Sequence, residues 1–114
     1  MGRITTHVLD TAAGKPAAGL KVVLSRLGDP KFRAEAVTNA DGRAERPLAE
    51  GADLAPGQYE IAFHVGDYFR AAGVKLPEPP FLDVVPVRFG VAADSHYHVP
   101  LLVSPFGYST YRGS

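Results

Sequence analysis

The chain has 114 residues, with twelve basic residues set against twelve acidic ones, ten prolines, twelve glycines and no cysteine. That length suits one two-layer core, so residues 1–114 are read as a single domain. The charge balance excludes a global field recruiting nucleic acid or an anionic membrane; the lack of cysteine excludes disulfides, thiolate chemistry and Cys-ligated zinc.

Ile4 to Asp10 alternates, with Ile4, Thr6 and Val8 on one side and Thr5, His7 and Leu9 on the other, which is the period of a strand. No signal peptide is expected ahead of it, and no apolar run approaches the roughly 20 residues of a membrane helix, so a cytoplasmic protein is expected. Thr11 to Pro16 reads as a turn or loop. Leu20 to Leu27 is rich in β-formers and makes a second strand, which Gly28-Asp29-Pro30 breaks. Phe32 to Thr38 is a third. Asn39-Ala40-Asp41-Gly42 carries turn chemistry, with Gly42 free to take positive φ. Arg43 to Leu48 is expected as a short edge strand stopped by Pro47, and Ala49 to Gly57 as a loop. Gln58 to Val65 alternates again: Tyr59, Ile61, Phe63 and Val65 inward, Glu60, Ala62 and His64 outward.

Asp67 to Ala72 is the one helical candidate, about two turns long, capped at Gly66-Asp67 and ended by Gly73. Leu76 to Pro80 forms an extended link. Val84 to Val91 is a strand whose Pro86 argues for an edge or a bulge. Asp94-Ser95 turns into His96 to Val103. There Tyr97, Val99, Leu101 and Val103 make a core stripe, and His96, His98, Pro100 and Leu102 point the opposite way. Ser104 to Gly107 is a turn and Tyr108 to Tyr111 a last strand. The chain stays aromatic and basic to Arg112-Gly113-Ser114, so this end is expected to be ordered and in use. About seven to eight strands with turns at short spacing give an all-β antiparallel sandwich with one short helix.

The chemistry concentrates on the histidines. His64 shares its face with Glu60 and Ala62 and reads as a solvated residue. His7 and His98 lie opposite the core stripes of their strands, with Leu9 beside one and Pro100 and Leu102 beside the other. Imidazoles on a partly apolar outer face imply a surface buried in an assembly and suited to proton transfer near pH 7. Arg43, after a glycine, brings a fixed positive charge to a developing oxyanion or an anionic substrate. His96 reads as a turn residue or, with His98 and His7, as part of a metal site. No carboxylate is committed to that face, so proton transfer ranks above metal binding and no cofactor is expected. None of Ser95, Ser104, Ser109 and Ser114 sits in a nucleophile elbow.

Three stretches resemble one family. His7-Val8-Leu9-Asp10-Thr11 with Gly14-Lys15-Pro16-Ala17 is similar to the N-terminal signature of transthyretin-like proteins. Thr38 to Arg43 resembles their second segment. Ser104-Pro105, Tyr108-Ser109-Thr110 and the ending Tyr111-Arg112-Gly113-Ser114 resemble the third. The Tyr-Arg-Gly-Ser ending marks the enzymatic branch, the 5-hydroxyisourate hydrolases of urate degradation. The resemblance implies a prealbumin-like sandwich, and a homotetramer built as a dimer of dimers with outer sheet faces lining a channel. It implies hydrolysis of 5-hydroxyisourate to 2-oxo-4-hydroxy-4-carboxy-5-ureidoimidazoline, with His7, Arg43 and His98 catalytic. It also implies substrate contacts from His7, Arg43, Tyr111 and Ser114, and neither metal nor cofactor. Ser109, Tyr111 and Gly113 would face the channel. Arg112 is either part of the site or a structural ion-pair residue. The alternative is a carrier that holds a small aromatic ligand in the same channel. A carrier wants an apolar channel with few titratable groups, so converging histidines favour chemistry.

Overall fold

The alternation becomes two facing sheets in the computed structural model, which describes residues 2–113. One sheet runs in the order β2-β1-β8-β9, with β5 also paired to β1. Its members are β1 (Arg3–Asp10), β2 (Lys15–Pro16), β5 (Ala49–Glu50), β8 (His96–Ser104) and β9 (Gly107–Thr110). The other runs β4-β3-β6-β7, made of β3 (Lys21–Arg26), β4 (Asp29–Val37), β6 (Gly57–His64) and β7 (Val84–Val91). Every ladder is antiparallel except β1 with β8, which is parallel. Those two strands lie far apart in the chain, so the core sandwich separates them, as a parallel pairing requires.

The inward stripes meet between the sheets. Ile4, Val8, Leu101 and Val103 from one sheet pack with Val22, Leu24, Tyr59, Ile61 and Phe63 from the other, all fully buried. Thr6, the polar member of the β1 stripe, donates to the carbonyl of Val99 at 2.7 Å and so is buried without an orphaned hydroxyl. The expected prealbumin-like sandwich is therefore present, with β2 and β5 as two-residue additions to its longer strands.

Several local expectations shift. The third strand starts at Asp29, not Phe32, because Leu27 and Gly28 alone make the turn, with Gly28 at φ +85°. Pro30 is tolerated there because β4 is an edge strand. Pro86 likewise lies on an edge, β7. The edge strand expected over Arg43 to Leu48 does not form. Pro47 interrupts it, and the segment touches β1 only at its ends, at His7↔Arg43 and at Ile4↔Ala49. The helix, α1 (Val65–Ala71), begins earlier than expected and has no side-chain N-cap. Gly66 lies inside it, where an added Cβ would collide with Asp83. Gly73, at φ +84°, ends it as expected, and Val74 N–H donates back to Phe69 at 2.9 Å.

Candidate active site

The outer face of the β1–β8 pair carries the candidate chemistry. Parallel register sets Arg3 beside His96, Thr5 beside His98, His7 beside Pro100 and Leu9 beside Leu102. All of these residues except Pro100, which is buried, keep some exposure, as their place opposite the core stripes required. His7, His96 and His98 are half-buried.

A turn delivers Arg43 to this face. Asn39 Oδ1 accepts from the N–H groups of Asp41 and Arg43 at 2.9 and 3.1 Å, which folds the loop back on itself. Gly42 takes φ +77° and its carbonyl accepts from Val8 N–H at 2.8 Å. A Cβ on Gly42 would strike the Val8 carbonyl, so only glycine lets the loop lie this close to β1. The next residue, Arg43, then pairs with His7 in an isolated antiparallel backbone bridge.

The C-terminal tail closes on His98 from the other side. β9 pairs with the end of β8, and the register continues past β9 to a bridge between His98 and Gly113. Gly113 N–H donates to the His98 carbonyl at 2.8 Å. A Cβ on Gly113 would sit 2.6 Å from Cδ2 of His98, so the glycine makes room for the imidazole. Arg112 points the opposite way. Its guanidinium lies 4.2 Å from the Tyr97 ring centroid and donates to Ser95 Oγ and the His96 carbonyl, each at 3.2 Å. It anchors the tail through an aromatic face and neutral oxygens, and among the described residues it makes no ion pair.

All three imidazoles are held below their ordinary pKa. Desolvation is the largest cause for each. Arg43 adds to it at His7 and His98; Arg3 and Arg112 add to it at His96. At His7 the Asp41 backbone and carboxylate pull the other way. Neutral imidazoles near pH 7 are the form that accepts a proton from water.

Beside these groups runs an open groove of about 380 Å³, lined by Arg3, Thr5, Arg43, Arg46, His96 and His98 among others. Its guanidiniums suit an electron-rich, oxygen-bearing substrate. A hollow of about 430 Å³ near Lys15, Tyr68 and Ala72 gathers no comparable set; the Tyr68 hydroxyl there is committed to Asp10 at 2.8 Å.

The structure thus brings His7, Arg43 and His98 to one face. Tyr111 is 61% exposed and borders a separate, more apolar cleft with Phe89 and Val99. Ser114 lies outside the described residues. Among the described residues, no cluster of three or more His, Asp or Glu side chains is placed to hold a metal ion. His64 has a loose neighbour that its strand pattern did not reveal, Asp67 at 4.0 Å. Thr5 is the residue that sequence reasoning passed over. Its hydroxyl lies 2.7 Å from both His96 Nε2 and His98 Nδ1. Alternation had put it on the right face, but a threonine on a strand is too common to signal anything alone.

The prealbumin-type sandwich thus carries imidazoles and guanidiniums on one outer sheet face. The chain belongs to the HIUase/Transthyretin family, whose model matches residues 4–113. It is 67% identical over 116 residues to 5-hydroxyisourate hydrolase 2 of Rhizobium meliloti (strain 1021), covering 99% of this chain and 97% of that one. Among solved structures, Klebsiella pneumoniae 5-hydroxyisourate hydrolase superposes with a TM-score of 0.83 at 37% identity, all of both chains being covered. (S)-allantoin synthase superposes at 0.92 with 49% identity over 99% of this chain, which spans only 44% of that longer one.

Proposed function

We infer that this chain is a 5-hydroxyisourate hydrolase, opening the cyclic amide of 5-hydroxyisourate in urate degradation to give 2-oxo-4-hydroxy-4-carboxy-5-ureidoimidazoline. The near-complete match to proteins of that activity gives the substrate. The observation that carries the chemistry is the groove that Arg43 and His98 both line, with His7 joined to Arg43 through a backbone bridge. Water gives up a proton to an imidazole as its oxygen bonds to the carbonyl carbon. Arg43 stabilises the oxygen that becomes negative, and an imidazolium returns a proton to the ring nitrogen as the C–N bond breaks. His7 and His98 share the proton transfers. Tyr111 borders a separate cleft in the single chain, so in this reading it meets substrate only in the assembled form.

The working form in this reading is a homotetramer, a dimer of dimers in the cytoplasm, in which facing outer sheets turn the open groove into a channel. Leu9 and Leu102, half-buried in the single chain, support it, as does the exposure of Tyr111. The carrier alternative wants an apolar channel, and guanidiniums and imidazoles line this groove instead.

The test generates 5-hydroxyisourate in place from urate and urate oxidase and follows its decay. Acceleration in proportion to added protein is the expected result. Decay at the spontaneous rate would overturn the reading.

A further inference from the structure

Thr5 sits between two imidazoles that the reaction does not obviously need together. Its Oγ1 is 2.7 Å from Nε2 of His96 on one side and 2.7 Å from Nδ1 of His98 on the other. The rings tilt at 58° with centroids 6.1 Å apart, so the hydroxyl is their link and they do not stack. A hydroxyl carries one proton and can donate to only one of the two rings. The tautomer of one ring therefore constrains that of the other.

We propose that Thr5 is a positioning residue whose single proton couples His96 to His98, letting His98 act first as base and then as acid within one turnover. The proposal rests on the hydrolytic reading above. In the starting arrangement Nδ1–H of His98 donates to Thr5, Thr5 donates to Nε2 of His96, and Nε2 of His98 presents a bare lone pair. Water gives its proton to that nitrogen as the C–O bond forms. The Nδ1 proton then passes to Thr5 while the Thr5 proton passes to Nε2 of His96. His98 is now a neutral ring with Nε2–H, and His96 holds the extra charge. As the C–N bond breaks, the shift through Thr5 reverses, so that Nδ1 of His98 regains its proton while Nε2–H goes to the leaving nitrogen and the ring never loses both protons. The starting arrangement is then restored.

The surroundings favour the return. The charges of Arg3 and Arg112 act on His96 and those of Arg43 and His7 on His98, so positive charge is unwelcome on either ring and does not rest on His96. His96 is also fixed in place, its carbonyl held by Arg112 and its ring by Thr5.

The experiment compares wild type, Thr5→Val, Thr5→Ser and His96→Gln by steady-state kinetics on 5-hydroxyisourate, with imidazole ¹⁵N shifts on each protein. Valine keeps the shape and removes the hydroxyl; serine keeps the hydroxyl. Thr5→Val should lower kcat about tenfold or more with KM within about twofold, and Thr5→Ser should recover most of the loss. The ¹⁵N shifts should show the His98 tautomer changed in Thr5→Val alone of the two Thr5 variants. Wild-type kcat in folded Thr5→Val, or equal losses in both Thr5 variants, would overturn the relay. If Thr5→Val does not fold, His96→Gln decides: its side chain takes up no proton, so wild-type kcat there also overturns the relay. An inactive wild type would refute the functional reading instead, and the ¹⁵N shifts would still report whether Thr5 sets the His98 tautomer.

Discussion

At the scale of single residues, the site is assembled by what glycine permits. Gly42 lets the loop touch β1 and so sets Arg43 against His7; Gly113 leaves room for the His98 ring. Gly113→Ala should push that ring aside and lower kcat about tenfold while the melting temperature moves little, because the clash lies on the surface of the sandwich. Unchanged kcat in the alanine protein would show that the ring position is not critical. His64→Asn should leave turnover near wild type, since His64 lies on β6 in the other sheet. The depressed histidine pKa values set the pH response. A group whose folded pKa lies below its ordinary 6.5 is neutral through pH 7 and gains its proton only at more acid pH. The kcat/KM profile, corrected for spontaneous decay, should therefore be flat near pH 7 and fall with an apparent pKa below 6.5. The same groups take up protons more readily unfolded, so they also cost stability as pH falls through 6.5 and below. A midpoint above that value would contradict the desolvation of these rings.

At the scale of elements, the faces were legible and the loops were not. Period-two alternation placed Thr5, His7, His96 and His98 on one side of β1 and β8 from sequence alone, since a one-residue slip would have buried them in the core. The parallel pairing of β1 with β8 was not legible, because pairing of strands distant in sequence leaves no local pattern. The path of 43–50 was missed for a related reason: its contacts to β1 depend on Gly42 and Pro47 acting at a distance from each other. Asp10 shows how a motif residue serves the frame. Its carboxylate accepts from Ala12 and Ala13 N–H at 3.0 and 2.9 Å and from the Tyr68 hydroxyl at 2.8 Å, tying the exit of β1 to α1. Burial and this bond push the Tyr68 phenol up to about 12. Asp10→Ala should cost about 2 kcal/mol or more, read as a lower urea midpoint at unchanged slope, because it orphans a buried hydroxyl. A midpoint within error of wild type would show that water replaces the carboxylate. Arg112 plays the matching part for the tail, holding Gly113 against His98 from the Tyr97 face. Deleting residues 111–114 should spare the core stripe of β8 and severely impair hydrolysis. Equal activity in the folded deletion would remove the tail from the site.

At the scale of the whole molecule, the single chain leaves its candidate site open to solvent. The groove is open, Leu9 and Leu102 are only half covered, and Tyr108 and Tyr111 are exposed. Light scattering at micromolar concentration should give close to four times the 12.1 kDa chain mass, and an active monomer would contradict a site completed between subunits. The sandwich supplies rigidity and the outer face supplies chemistry, so the two should separate cleanly under mutation. The most direct measurement is the decay of freshly generated 5-hydroxyisourate with wild type and with His98→Asn, each first shown to be folded by circular dichroism and of equal mass by light scattering. Loss of about a hundredfold or more in kcat for the variant is the predicted result, the scale of removing an acid–base group. Wild-type turnover by folded, fully assembled His98→Asn would contradict the assignment of the reaction to this face.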